Sequence, residues 1–164
     1  LIQILGEPVY QIAYSKVHDR DRKMQLAYAK TGTLRAALTE TEAVNVAKAN
    51  FSEDANVKLV EYITTTNGHH EYRESPLPAY AVTFSHPSNT TVYVAAKLGT
   101  VQKFRNNKWR VFDFLWMMHT MDYQSRDNIS NWLLRAFSVF GLFSILSGFI
   151  LFFVSRKKTI KIKK

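Results

Sequence analysis

The chain contains no cysteine among its 164 residues. That absence removes disulfides, thiolate metal sites, iron–sulfur clusters and cysteine nucleophiles together. The short motifs of common enzyme chemistries are missing as well. There is no H-E-x-x-H, no glycine-rich phosphate loop, no G-x-S-x-G and no dinucleotide fingerprint. Carboxylates are scattered: Glu40 and Glu42 belong to a helix start, Glu53 and Asp54 to a helix exit. No pair is placed for acid–base work. These gaps predict a protein that is not an enzyme and holds no cofactor and no metal. The first residue is Leu1 rather than Met, so the natural start is expected upstream, with a signal peptide or an earlier membrane helix before it.

Charge is missing where it matters most. Residues 136–154, AFSVFGLFSILSGFILFFV, are nineteen in a row without one ionisable side chain. As a helix the run is about 28 Å long, enough to cross a hydrocarbon core of roughly 30 Å. Arg156, Lys157, Lys158, Lys161, Lys163 and Lys164 follow at once. By the positive-inside rule Arg156, Lys157 and Lys158 form a cytoplasmic anchor, and everything before Trp132 is expected outside the cytoplasmic membrane. The same tail accounts for six of the nine net positive charges. The basic pI therefore points to lipid head groups as partners and not to nucleic acid.

Two stretches read alike. In the first, Pro8, Tyr10, Ile12 and Tyr14 precede Ala29-Lys30-Thr31-Gly32-Thr33; in the second, Pro78, Tyr80, Val82 and Phe84 precede Ala96-Lys97-Leu98-Gly99-Thr100. Large apolar residues at every second position have the period of a strand with one covered face. The polar middles SKVHDRDRK and SHPSNTT are natural hairpin loops, and Gly32 and Gly99 suit turns that need a positive φ. Between the copies, Thr39 with Glu42 is a capping-box start, and Ala43, Val46, Ala47 and Phe51 then fall on one helical stripe. Residues 57–66 read as a strand, broken by Asn67-Gly68-His69-His70. Adjacent histidines on an extended chain point to opposite sides, so His69 and His70 make a poor chelate. The pattern predicts an α+β domain of antiparallel hairpins on a helix, with Tyr10, Ile12, Val82 and Phe84 facing the helix at 39–51.

A helix, a strand and a hairpin of the form P-x-Y-x-V-x-F…V-Y-V…G-x-V resemble the PepSY domain. The fuller resemblance is to bacterial PepSY-associated transmembrane proteins, in which an aromatic segment precedes a membrane helix. Here RVFDFLWMMHTMDY, two residues, RDN and the apolar run follow in that order. The resemblance covers roughly Gly6 to Arg156. It implies a partial PepSY-like hairpin at 1–36, a PepSY-like domain at 37–105, an interfacial aromatic segment at 106–131, a transmembrane helix at 132–155 and a basic tail at 156–164. Relatives often carry an Asp-Pro-x-Thr-Gly turn. This chain has Ala95-Ala96-Lys97-Leu98-Gly99 instead, so no ligand role is carried onto that turn.

The aromatic segment is apolar almost all round. Phe112, Leu115, Trp116, His119 and Tyr123 share one side of a helical wheel, and Phe114, Met117 and Met121 occupy much of the other. Trp109, Trp116, Tyr123 and Trp132 suit the head-group level, so a short interfacial helix is expected. His119 can serve as a haem or metal ligand or a proton carrier, but no second histidine follows it; a hydrogen bond to a backbone carbonyl or to Asp122 is the plainer expectation. Arg135 is expected to snorkel, or to pair with Asp127 or Asp122. Within the span, Gly141, Ser144 and Gly148 lie in a narrow arc where a second helix can approach closely.

Three readings of function follow. The first is a non-catalytic, membrane-anchored interaction module, an accessory subunit of a bacterial envelope complex in the inner membrane. Its partners are lipid and other membrane subunits, or its own N-terminal helix. The PepSY resemblance implies two others: a regulator or inhibitor of extracytoplasmic peptidases, and a helper in envelope iron or haem redox chemistry.

Overall fold

The computed structural model describes residues 1–14, 23–123, 128 and 130–162, without the side chains of Lys23 and of 157–162. The chain divides into two compact units, Leu1–Phe112 and Asp113–Lys164.

The first unit is α+β and is built on two four-stranded antiparallel sheets. Strands β1 (Ile2–Ile4), β2 (Glu7–Tyr14), β3 (Lys23–Tyr28) and β4 (Leu34–Arg35) form one sheet in that order. Strands β5 (Val57–Ile63), β6 (Ala79–Phe84), β7 (Thr91–Ala95) and β8 (Thr100–Arg105) form the other. Helix α1 (Glu40–Asn50) lies between them in the chain. Its start is the expected capping box: Thr39 Oγ1 accepts from Glu42 N, and Glu42 Oε2 accepts from Thr39 N at 2.9 Å. The short strands β1, β4 and β8 go beyond the sequence reading. The stretches after Gly32 and Gly99 were each long enough to return along the hairpin and pair with it.

The internal repeat is real at the level of single hydrogen bonds. Ala29 N donates to Pro8 O at 3.0 Å, and Ala96 N donates to Pro78 O at 3.0 Å. Gly32 N donates to Tyr28 O at 2.8 Å, and Gly99 N to Ala95 O at 2.9 Å. Both glycines have positive φ, 72° and 68°. Register agrees as well: Val9 faces Tyr28 as Ala79 faces Ala95, and Ala27 faces Leu34 as Val94 faces Val101.

One buried cluster joins the three layers. Val82, Phe84, Val92 and Val94 of the second sheet meet Ala43, Val46 and Ala47 of α1, with Ile4, Val9 and Leu26 of the first sheet. Phe51, at the end of α1, stacks on Phe84 with ring centroids 4.4 Å apart. Each large side chain so buried contributes about 1.5–3 kcal/mol.

Val82 and Phe84 therefore face α1 as expected, but Tyr10 and Ile12 do not. The first sheet turns its Val9 and Gln11 face inward, where Gln11 Nε2 donates to Leu98 O at 2.9 Å. Side chains alternate along a strand, so this choice sends Tyr10, Ile12 and Tyr14 to the other face, where they are exposed.

The second unit holds most of α2 (Asn107–Thr120) and all of α3 (Trp132–Ile162). Asn131 caps α3, its Oδ1 accepting from Leu134 N at 2.8 Å, while its Nδ2 donates to Thr120 O at 2.8 Å. The helix continues past the expected end near Val154. No glycine or proline follows Gly148 to stop it, and basic residues favour a helix C-terminus.

The two repeat glycines separate conformational strain from packing. A Cβ on Gly32 would meet nothing within 4 Å, whereas one on Gly99 would overlap Ile4 Cδ1 in the core. Gly32→Ala should cost about 1–2 kcal/mol for its left-handed backbone. Gly99→Ala should cost about 1–3 kcal/mol more for overpacking, measured by thermal or denaturant unfolding.

Candidate functional site

The strongest functional candidates lie on α2 and α3, where the distribution of polarity is inverted. On α2 the buried side chains are Asp113 and Thr120, with Asp122 just beyond the helix. Val111, Phe112, Phe114, Leu115, Trp116 and Met118 are exposed. A helix serving a water-facing domain places these the other way round. The buried polar groups are used: Thr120 Oγ1 donates to Trp116 O at 3.0 Å, and Asp122 Oδ2 accepts from Asn128 N at 2.8 Å.

Of the expected membrane-interface residues, Trp116, Tyr123 and Trp132 are exposed. Trp109 is not free to serve lipid on both faces, because the Arg105 guanidinium lies 3.8 Å from its ring centre. That contact puts Trp109 in the first unit, bound to β8. His119 is exposed on the last turn of α2, its ring 6.1 Å from that of Trp116. Arg135 Nη2 donates to Ser130 Oγ at 2.9 Å, and Asp127, one of its two expected partners, lies outside the described residues.

Trp132–Arg156 is a helical stretch of 25 residues long and apolar enough to cross a membrane, with an 18-residue window of mean hydropathy 2.4, none of it buried. Gly141, Ser144 and Gly148 share one side of it, as their spacing requires. Ser144 Oγ donates to Phe140 O at 3.0 Å, so its hydroxyl is satisfied within the helix. Gly148 lies in a shallow, open depression lined by Ile145, Phe149 and Phe152, and a Cβ there would meet nothing within 4 Å. Arg156 lies at the end of the span, and the helix carries Lys157 and Lys158 beyond it.

Two arginine–carboxylate pairs in the first unit were not revealed by the sequence. Arg35 on β4 is buried, and its Nη2 meets Glu42 Oε1 on α1 at 2.6 Å. Glu42 is held below the usual carboxylate range, first by the Thr39 backbone N–H and then by Arg35, against the opposing effect of burial. Arg35 also borders a cleft of about 550 Å³ with Gln25, Leu26, Lys97 and Leu98. Beyond the other sheet, Glu71 receives Arg110 Nε at 2.7 Å and Nη2 at 3.1 Å, and Arg105 Nε donates to its backbone carbonyl at 3.1 Å. The expected solvated loop at His69-His70-Glu71 is thus tied to α2 and β8 through Glu71. No local motif marks a pair 39 residues apart.

The same loop carries Tyr72, which stacks on Tyr93 at 5.0 Å and donates to Pro76 O at 2.7 Å. His70 Nδ1 accepts from Tyr72 N at 3.0 Å, a turn-closing role. Among the described residues no three of His, Asp and Glu gather as a metal site.

Burial pushes both phenols, Tyr72 and Tyr93, up to about 12, with Glu71 adding to the effect at Tyr93. Between pH 10 and 12 the unfolded chain gives up both protons while the folded chain keeps them. Stability should therefore be intact below pH 10 and fall as pH rises toward 12. Tyr93→Phe should flatten that fall in denaturant titrations across the window. An unchanged slope would contradict the assignment.

No family model, no curated protein and no solved structure matches this chain.

Proposed function

We propose that this protein is a non-catalytic, membrane-anchored interaction module, working as an accessory subunit of a bacterial envelope complex. The observation that carries the reading is the apolar exposure of the second unit. Trp132–Arg156 is long and apolar enough to span, and α2 exposes Phe112, Phe114, Leu115 and Trp116 while burying polar groups. Water gives such surfaces no favourable place; lipid or a partner helix does.

In this reading α3 crosses the inner membrane with Arg156, Lys157 and Lys158 on the cytoplasmic side. Helix α2 lies at the outer head-group level, and the sheets stand in the periplasm. Trp116, His119, Tyr123 and Trp132 meet the interface, and the Arg135 stem reaches toward it. The Gly141, Ser144 and Gly148 side of α3 receives a second helix, since close packing at small residues replaces the hydrophobic drive that lipid removes. The resemblance to PepSY-associated membrane proteins supports the same reading.

Two experiments test it. In the cysteine-free chain, Ser130→Cys should label with an impermeant maleimide from outside, and Lys163→Cys only after permeabilisation. Labelling of both from one side would remove the topology. Gly148→Leu should insert normally yet lose most of its co-purified membrane partner in mild detergent, whereas Phe149→Leu should not. An unchanged partner set for Gly148→Leu would remove the docking role of the stripe.

A further inference from the structure

Arg35 has a hydrogen-bond donor that the first unit leaves without an acceptor. Its side chain is 5% exposed and sits on β4, the edge of the first sheet opposite β1. A guanidinium offers a carboxylate a fork of two arms, here Nε and Nη2. Arg110 shows that fork filled, its Nε and Nη2 donating to the two oxygens of Glu71 at 2.7 and 3.1 Å. At Arg35 only Nη2 is used, on Glu42 Oε1 at 2.6 Å. The other oxygen, Glu42 Oε2, already accepts from Thr39 N and Thr39 Oγ1 in the capping box. Arg35 Nε is the one buried side-chain polar atom without a partner among the described residues. A buried donor so placed costs about 1–3 kcal/mol. The corresponding cation of the second sheet is satisfied: Lys103 faces Tyr93 as Arg35 faces Leu26, and its Nζ donates to Arg73 O at 2.6 Å.

Beside this donor lies the cleft of about 550 Å³ that Arg35 borders. Lys97 lines it too, exposed on the turn of the second copy, with no hydrogen bond or ion pair to its ammonium among the described residues. Met24 and Leu26 of β3, with Leu77 and Leu98 from the second copy, supply apolar walls. No carboxylate lines the cleft. Glu42 offsets one of the two cations, so Arg35, Lys97 and Glu42 together leave one positive charge. That balance suits a singly charged anion. A phosphate monoester carries about −1.5 to −2 at neutral pH and would bring an excess of charge. A carboxylate matches the charge, and its two oxygens match the fork.

We propose that the Arg35–Lys97 cleft binds a small organic monocarboxylate with an apolar body. The body lies against Met24, Leu77 and Leu98, and the carboxylate meets Lys97 and the free Nε arm of Arg35. Nε is shielded from solvent in this conformation, so the guanidinium turns outward to receive the ligand. Glu42 gives up one contact in that turn and keeps its two bonds to Thr39. The site stands wholly in the first unit, so it and the membrane reading of α3 can fail independently.

Fluorine NMR tests the site on the full chain in nanodiscs of neutral phosphatidylcholine. The probe is 4-fluorophenylacetate, with 4-fluorophenylacetamide as its uncharged counterpart and protein-free discs as the lipid background. The signal of the acid should broaden saturably with the protein. The amide should bind about tenfold more weakly, the loss expected for one hydrogen bond to a charged group. Lys97→Gln, at an exposed side chain, should weaken the acid about threefold. Met24→Trp, which fills the cleft, should abolish saturable binding. Arg35→Lys keeps a cation beside Glu42 without the fork, and should weaken the acid about tenfold. Should Arg35→Lys melt early, the other two variants still decide, because Lys97 and Met24 lie outside the core cluster. Absence of saturable broadening with the parent chain overturns the proposal. So does equal binding of acid and amide, or acid binding that Lys97→Gln, Met24→Trp or a folded Arg35→Lys leaves unchanged.

Discussion

The packing of three small residues on one short helix holds the first unit together. Ala43, Val46 and Ala47 present almost no bulk, so Phe84, Val82, Val92 and Val94 can close over them from one sheet while Val9 and Leu26 join from the other. The capping box fixes where that helix begins. The Arg35–Glu42 pair then ties β4 to its first turn. A buried guanidinium without a carboxylate would be strongly unfavourable, so the pair fixes the position of the first sheet more than it adds net stability. Leu38 N, donating to Ala96 O at 2.9 Å, makes a second link from the segment before α1 to the turn of the second copy.

Much of this was legible, because the signals were local. Alternation gave the long strands; Thr39 and Glu42 gave the helix start; Gly32 and Gly99 gave the turns. The repeat could be read because turn chemistry depends on a few neighbouring residues, and both copies keep the same backbone hydrogen bonds. The faces were a different matter. Tyr10 and Ile12 carry the same alternation as Tyr80 and Val82, so periodicity assigned them the same neighbour. Only one helix of that kind is described, and the second sheet takes it. Which face a strand buries is decided by what is available to cover it, and no local pattern states that. The Glu71–Arg110 pair escaped for the same reason, since a contact between distant residues leaves no trace in spacing.

The second unit was legible for a simpler reason. A charge-free run of nineteen residues needs no tertiary information to be read as a span. What sequence alone could not assign was the polarity of α2, since a helix apolar nearly all round has no obvious inside. The structure buries two polar side chains, Asp113 and Thr120, and leaves Phe112, Phe114 and Trp116 exposed. Trp109 departs from the rest because Arg105 covers its ring, a cation–π contact that favours order at that end of α2.

The two units thus expose apolar surface for different physical reasons. On α2 and α3 the exposed apolar side chains are of a kind that a bilayer would accept in any orientation. On β2 the surface is bounded: it has a strand register, a size limit set by Tyr10 and Tyr14, and an edge with a fixed hydrogen-bonding direction. Lipid satisfies none of those three constraints, because it has no backbone to pair and no preferred register. In the second copy α1 and β5 satisfy all of them at once.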